Sequence, residues 1–182
     1  MEFRFRQIES LPRLAWCATF RRGATDVDLA HGPWVETRDT FFCEGTWNGD
    51  FAQGNFQTGF MMGSGGKLED GGVLFVSPCH PVERLHYIRS GDSLFVSNSL
   101  VFVLSQANEE LDPHYPNYSG RLHSIVKGVQ EYAKRIPTKS GNDVNIRYYC
   151  NLLVDSETNV TELPKSQGRD FADYSDYRSF LQ

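Results

Sequence analysis

The sequence predicts a mixed α+β domain built mainly from strands, and three observations predict it. Val73-Leu74-Phe75-Val76 is a continuous apolar run, the mark of a strand buried on both faces. Arg84 to Ile88 and Leu94 to Ser97 read as two further strands, joined through Arg89-Ser90-Gly91-Asp92-Ser93, where Gly91 supplies the turn. From Asn98 the apolar spacing becomes helical, with Leu100, Val101, Val103 and Leu104 on a buried helix capped by Ser97, Asn98 or Ser99. Leu94, Val96, Leu100 and Leu104 should therefore line the core at a strand-to-helix corner.

The other elements follow from the same signals. Leu14 to Phe20 and Thr40 to Trp47 read as aromatic-rich strands, separated by a polar segment with a Gly32-Pro33 turn. Between Gly45 and Gly66, glycines interleave with Trp47, Phe51, Phe56 and Phe60, which predicts short, tightly turned strands. Lys67 to Gly72 is a charged turn, and Asp112 to Gly120 is a proline-bearing loop. Ile125, Val129, Tyr132, Ala133 and Ile136 recur at helical spacing and predict a helix stopped by Pro137. Ile146 to Val154 predicts one strand, returned through Val160 to Leu163 after a turn at Asp155 to Asn159. Pro164 to Gly168 is linker-like. A last amphipathic helix begins near Asp170, its N-cap, and carries Phe171, Tyr174, Tyr177 and Leu181 on one face.

Composition narrows the function. A chain of 182 residues suits one domain. The net charge is −5, and the basic pairs Arg21-Arg22 and Lys134-Arg135 make no clustered basic face, which excludes a nucleic-acid footprint. No run of about 18 apolar residues spans a membrane. The N-terminus alternates charge with aromatics and lacks the apolar core of a signal peptide. Cys17, Cys43, Cys79 and Cys150 are scattered and read as reduced thiols in a cytoplasmic protein.

Gly72 to Leu104, GVLFVSPCHPVERLHYIRSGDSLFVSNSLVFVL, resembles a stretch of the N-terminal glutaminase domain of asparagine synthase-type enzymes. That family has a strand, a turn, two hairpin strands and a helix opened by a serine-acid pair. Leu85 and Tyr87 fall at its Leu-Tyr-Tyr, and Ser97-Asn98 at its Ser-Glu. Ile146 to Leu152, the hairpin after it, and Phe171 to Leu181 are similar to the exit strands and the lead-in to the synthetase domain. Glu44-Gly45-Thr46-Trp47-Asn48-Gly49-Asp50-Phe51 resembles other members of the superfamily more than the glutaminases. The resemblance implies an Ntn-hydrolase-like αββα sandwich of two mainly antiparallel sheets with outer helices. Residues 1–169 would form the glutaminase-like domain, and residues 170–182 a lead-in helix.

The departures from the family decide the expected activity. Its glutaminases use an N-terminal cysteine whose own α-amino group is the base. Here Glu2 follows Met1, and its bulk should keep that methionine in place. Ser77-Pro78 replaces the family's Arg-Asp. Asn48-Gly49 matches its oxyanion element but is a turn dipeptide in its own right. Asn48, Gly49, Ser97 and Asn98 are therefore candidates for a remnant pocket, with no catalytic residue, metal or cofactor expected.

Other motifs carry less. Ser64-Gly65-Gly66 lacks the Asp and Ser of the pyrophosphate loop it resembles, and Leu68 breaks a Walker pattern. Cys79-His80 with His86 lacks a fourth zinc ligand at recognisable spacing. The resemblance thus implies a non-catalytic scaffold docking on an ATP-dependent, asparagine synthase-like amide-forming domain or chain, through Phe171, Tyr174, Tyr177 and Leu181, or self-associating. Two other readings stay open: a hydrolase pairing Cys17 or Cys43 with a distant histidine, and a module binding an amino acid or amide.

Overall fold

The computed structural model describes residues 1–56, 60–165 and 172–180. In chain order the strands are β1 (Glu2–Gln7), β2 (Trp16–Arg21), β3 (Asp26–His31), β4 (Glu36–Arg38), β5 (Phe41–Trp47), β6 (Met61–Glu69) and β7 (Gly72–Val76). After these come β8 (Leu85–Ser90), β9 (Ser93–Ser97), β10 (Arg135–Pro137), β11 (Asp143–Arg147), β12 (Cys150–Asp155) and β13 (Val160–Pro164). The helices are α1 (Leu100–Ala107), α2 (Tyr118–Leu122) and α3 (Tyr174–Phe180), with 3-10 turns at Phe51–Gln53 and Ser124–Lys127.

Two sheets result, ordered β1-β3-β2-β9-β8-β11-β10 and β13-β12-β7-β6-β5-β4. β1 runs parallel to β3, while the other ladders between described strands are antiparallel. Side-chain alternation stacks them. Trp16, Ala18 and Phe20 of β2, Phe42 of β5, Val73 and Phe75 of β7, and Leu152 and Val154 of β12 fill the space between the sheets. Trp16 lies flat on Phe75, centroids 5.6 Å apart, and Phe42 meets it edge-on at 4.9 Å.

The opposite parities form two outer clusters. Cys17, Ile88, Phe95 and Ile146 are covered by Phe102, Val103, Leu104 and Ala107 of α1. On the far side, Phe41, Cys43, Leu74 and Val76 are covered by Trp47 at the end of β5 and by Phe56 from the loop that holds the first 3-10 turn. Among the described residues, then, a helix covers the first sheet and a loop covers the second.

The hairpin of β8 and β9 and the corner into α1 stand where sequence spacing puts them. Ser99 caps α1, its hydroxyl accepting from the Phe102 amide at 3.3 Å, and Asn108 ends the helix in the left-handed region. Leu94, Val96 and Leu104 are buried, but Leu100 is half-buried and Val101 is exposed.

Several expectations need correction. The helix expected over Ile125 to Ile136 does not form. Gly128 breaks it at φ +100°, Ile125 sits in a 3-10 turn, and Ile136 belongs to β10. The strand expected over Ile146 to Val154 is two strands in different sheets, since the chain crosses over at Tyr148-Tyr149, with Tyr149 at φ +51°. Lys67 to Glu69 continue β6, so the turn is Asp70-Gly71 alone, and the segment from Gly45 to Gly66 holds the start of one long strand. The polar stretch before Gly32-Pro33 contains β3, and Glu2–Gln7 forms β1.

At the C-terminus α3 starts at Tyr174, and its first turn is held by Asp173, whose carboxylate accepts from the Asp176 amide at 2.9 Å. Tyr174, Tyr177 and Phe180 expose much of their rings. Asp170, Phe171 and Leu181 lie outside the described residues.

Candidate functional site

Strand alternation places Glu44 on the same inward face of β5 as Phe42, at the edge of the inter-sheet core. A buried carboxylate there requires partners, and it has them. Its Oε1 accepts from the Ser64 amide at 2.8 Å, the Ser64 hydroxyl at 2.5 Å and Asn98 Nδ2 at 3.3 Å. Trp16 Nε1 donates to the same Ser64 hydroxyl at 3.0 Å.

Asn98 extends the network to the start of β2. Its Oδ1 accepts from the Trp16 amide at 3.0 Å, and its Nδ2 also donates to the Leu14 carbonyl at 2.9 Å. Ser97 closes the corner: its hydroxyl donates to the Trp16 carbonyl and accepts from the Ser99 amide at 3.0 Å. Two glycines permit the close approach. Gly45 and Gly63 face each other across β5 and β6, both at positive φ, and a Cβ on Gly63 would lie 2.0 Å from the Glu44 carbonyl oxygen.

The protonation states follow from burial. Desolvation pushes the Glu44 carboxyl up to about 7, against the pull of its Ser64 hydrogen bond. Burial and the charge of Arg84 pull His86 down to about 3, and Arg84 Nε donates to its Nε2 at 3.1 Å. The buried Cys17 thiol is pushed well above its ordinary range, and Cys43 reaches about 12, first by desolvation and then by Glu36 and Glu44. Cys150 is raised by burial too. Thiols in this state are poor nucleophiles.

The corner therefore has a tunable carboxyl but no exposed reacting atom. Ser64 is 1% exposed and already engaged by Glu44 and Trp16, which leaves no path for a substrate to its hydroxyl. Of the four candidates for a remnant pocket, Ser97 and Asn98 are joined here. Asn48 and Gly49 instead lie exposed in the turn after β5, where Gly49 packs close to Trp47 and the Asn55 carbonyl. Ser64-Gly65-Gly66 is mid-strand in β6. Cys79 Sγ points to Met62 Sδ at 3.6 Å, while His80 pairs with Glu83 at 3.6 Å. No group of three or more potential metal ligands gathers among the described residues. Likewise, no helix among them is long and apolar enough to cross a membrane.

Sequence reading passed over Glu44 and Trp16 as site residues. The available signal was an acid at an inward-facing position inside the aromatic run Phe41 to Trp47. Comparisons of the chain with protein-family models, with curated proteins and with solved structures found no match. What fold and site define is a mixed α+β domain of two sheets with few helices, in which a buried polar network ties the sheets together.

Proposed function

We propose that the chain is a non-catalytic scaffold domain of the glutaminase-like type, docking on an ATP-dependent, asparagine synthase-like amide-forming partner. The observation that carries this reading is the use made of Ser97-Asn98, the pair at the position of the family's serine-acid signature. Both side chains are spent holding β2, β5 and α1 together. The order of strand, hairpin and capped helix over residues 72–104 supports the resemblance. The buried, proton-holding thiols of Cys17 and Cys43 count against the alternative hydrolase, which needs one of them ionised. The αββα arrangement is part of the proposal, with α1 as one outer layer.

The docking element is the C-terminal segment, where Tyr174 and Tyr177 present adjacent rings with centroids 6.4 Å apart. Its test is deletion from Asp170 onward. The truncated chain should unfold cooperatively, as the full chain should, yet fail to associate with a co-expressed synthetase-like partner. Loss of cooperative unfolding would make the segment part of the core, and undiminished association would remove it from the interface.

A further inference from the structure

A cavity of about 620 Å³ opens where the chain crosses from β11 to β12. Its composition is unlike that of the corner network. Three cations line it, Lys134, Arg147 and Lys165, against one carboxylate, Glu162, and its walls include Tyr132, Tyr148 and Tyr149. Such a cavity, apolar-walled with a few convergent polar groups, is the usual form of a small-molecule site.

The cations have different roles. Arg147 is buried and fixed: it donates to the Lys134 carbonyl at 3.0 Å, the Ile146 carbonyl at 2.7 Å, the Tyr87 hydroxyl at 3.1 Å and Glu162. Its Nη1 is committed to the two carbonyls and its Nη2 to Tyr87 and Glu162, so bidentate capture of a phosphate through both is not open to it. Among the described residues, Lys165 Nζ donates to the Ser77 carbonyl at 2.5 Å, and burial pulls its pKa below the ordinary lysine value. A bound anion would offset that cost. Lys134 is exposed and lines the same cavity.

The backbone adds an independent observation. Tyr149 adopts φ +51°, a conformation that costs a bulky residue on the order of 1 kcal/mol or more. Its amide neighbourhood is also tied down, its carbonyl accepting from the Lys165 amide at 3.0 Å. Strain of this kind tends to persist where it positions a side chain for use.

We infer that this cavity binds a small organic carboxylate with an aromatic or apolar body. The carboxylate meets Lys165 and Lys134, and the body lies against Tyr149 and Tyr132. This inference stands apart from the scaffold reading, since ligand binding needs neither a synthetase partner nor the absence of catalysis.

The test titrates the full chain with 4-hydroxyphenylacetate, with its neutral amide and with inorganic phosphate. Two signals are followed, the Tm and the rate at which Cys79, on the cavity wall, reacts with a maleimide. At ten times Kd the carboxylate should raise Tm by about 3 °C and slow Cys79 labelling about tenfold, while amide and phosphate do neither. Lys165→Met and the exposed Lys134→Met should each weaken binding about tenfold, with Lys139→Met as the silent control. Tyr149→Gly should relieve the strain and keep cooperative unfolding, yet still weaken binding. No saturable response to the carboxylate up to about 10 mM, equal binding of the amide or of phosphate, or indifference to both lysine variants would overturn the assignment.

Discussion

The carboxylate of Glu44 takes both hydrogen bonds that Ser64 can give it, one from the amide at 2.8 Å and one from the hydroxyl at 2.5 Å. The two residues lie directly opposite each other on β5 and β6. With Trp16 bonded to the same hydroxyl, a side chain from the first sheet is pinned to a pair in the second. Polar groups inside a sandwich are costly unless fully partnered, so this junction fixes how the sheets register rather than adding much net stability.

The junction makes stability depend on pH. Glu44 has its pKa raised from 4.5 to about 7 by burial, so the native state holds this proton more tightly than the unfolded chain. Stability linked to it is full below about pH 4.5 and is lost as the pH rises through about 7. His86, lowered from 6.5 to about 3, acts in the opposite sense, losing stability as the pH falls below 6.5. The two nearly cancel in their shared window, so the Glu44 contribution is read by difference. Urea unfolding of the Glu44→Gln variant should gain on the native protein between about pH 5 and about pH 8, by an amount on the order of 3 kcal/mol. A difference that stays flat over that range would place the Glu44 carboxyl in water.

Gly63 and Gly91 both have positive φ, and only one of them is crowded. A Cβ on Gly63 would meet the Glu44 carbonyl oxygen at 2.0 Å, whereas one on Gly91 would meet nothing within 4 Å. Gly63→Ala should cost about 3 kcal/mol from combined strain and overpacking. Gly91→Ala should cost about 1 kcal/mol from backbone conformation alone. Equal costs, measured by chemical denaturation, would mean that β5 and β6 do not approach as described.

Phe75 and Leu100 separate core from rim. Phe75 is fully buried between the sheets, so Phe75→Ala should cost about 3–5 kcal/mol. Leu100 is half-buried on the outer cluster, and Leu100→Ala should cost about 1–2 kcal/mol, less than a core leucine would. A reversal of that order would relocate the core to the α1 side.

Legibility in the sequence followed how local each signal was. The β8–β9 hairpin and the start of α1 could be read because Gly91 and Ser99 sit beside the elements they shape. The false helix over Ile125 to Ile136 arose because residues at helical spacing serve three different elements: Ile125 a 3-10 turn, Tyr132 a loop, Ile136 a strand. The crossover at Tyr148-Tyr149 carries no glycine or proline to announce a left-handed residue. Of the corner network, Ser97 and Asn98 stand out as site candidates through the resemblance, which sets them at its serine-acid pair, while their place before a helix marks them only as possible caps. Glu44 and Ser64 meet across 20 residues and Glu44 and Asn98 across 54, distances at which no spacing rule operates.

The thiols should divide by burial. Cys17, Cys43 and Cys150 are buried, and Cys79 is half-buried on the cavity wall. A native-state reaction with a thiol reagent should modify Cys79 in a fast phase, and the other three only upon unfolding. A second fast thiol would point to a loosened sheet or an activated cysteine.

Glutamine hydrolysis bears most directly on the central claim. The purified full chain, given glutamine near neutral pH, should release ammonia no faster than the buffer alone. Cys17→Ser and Cys43→Ser should leave that rate unchanged, because both thiols are held protonated in the buried outer clusters on either side of the sandwich. Release well above background that either substitution abolishes would contradict the scaffold reading.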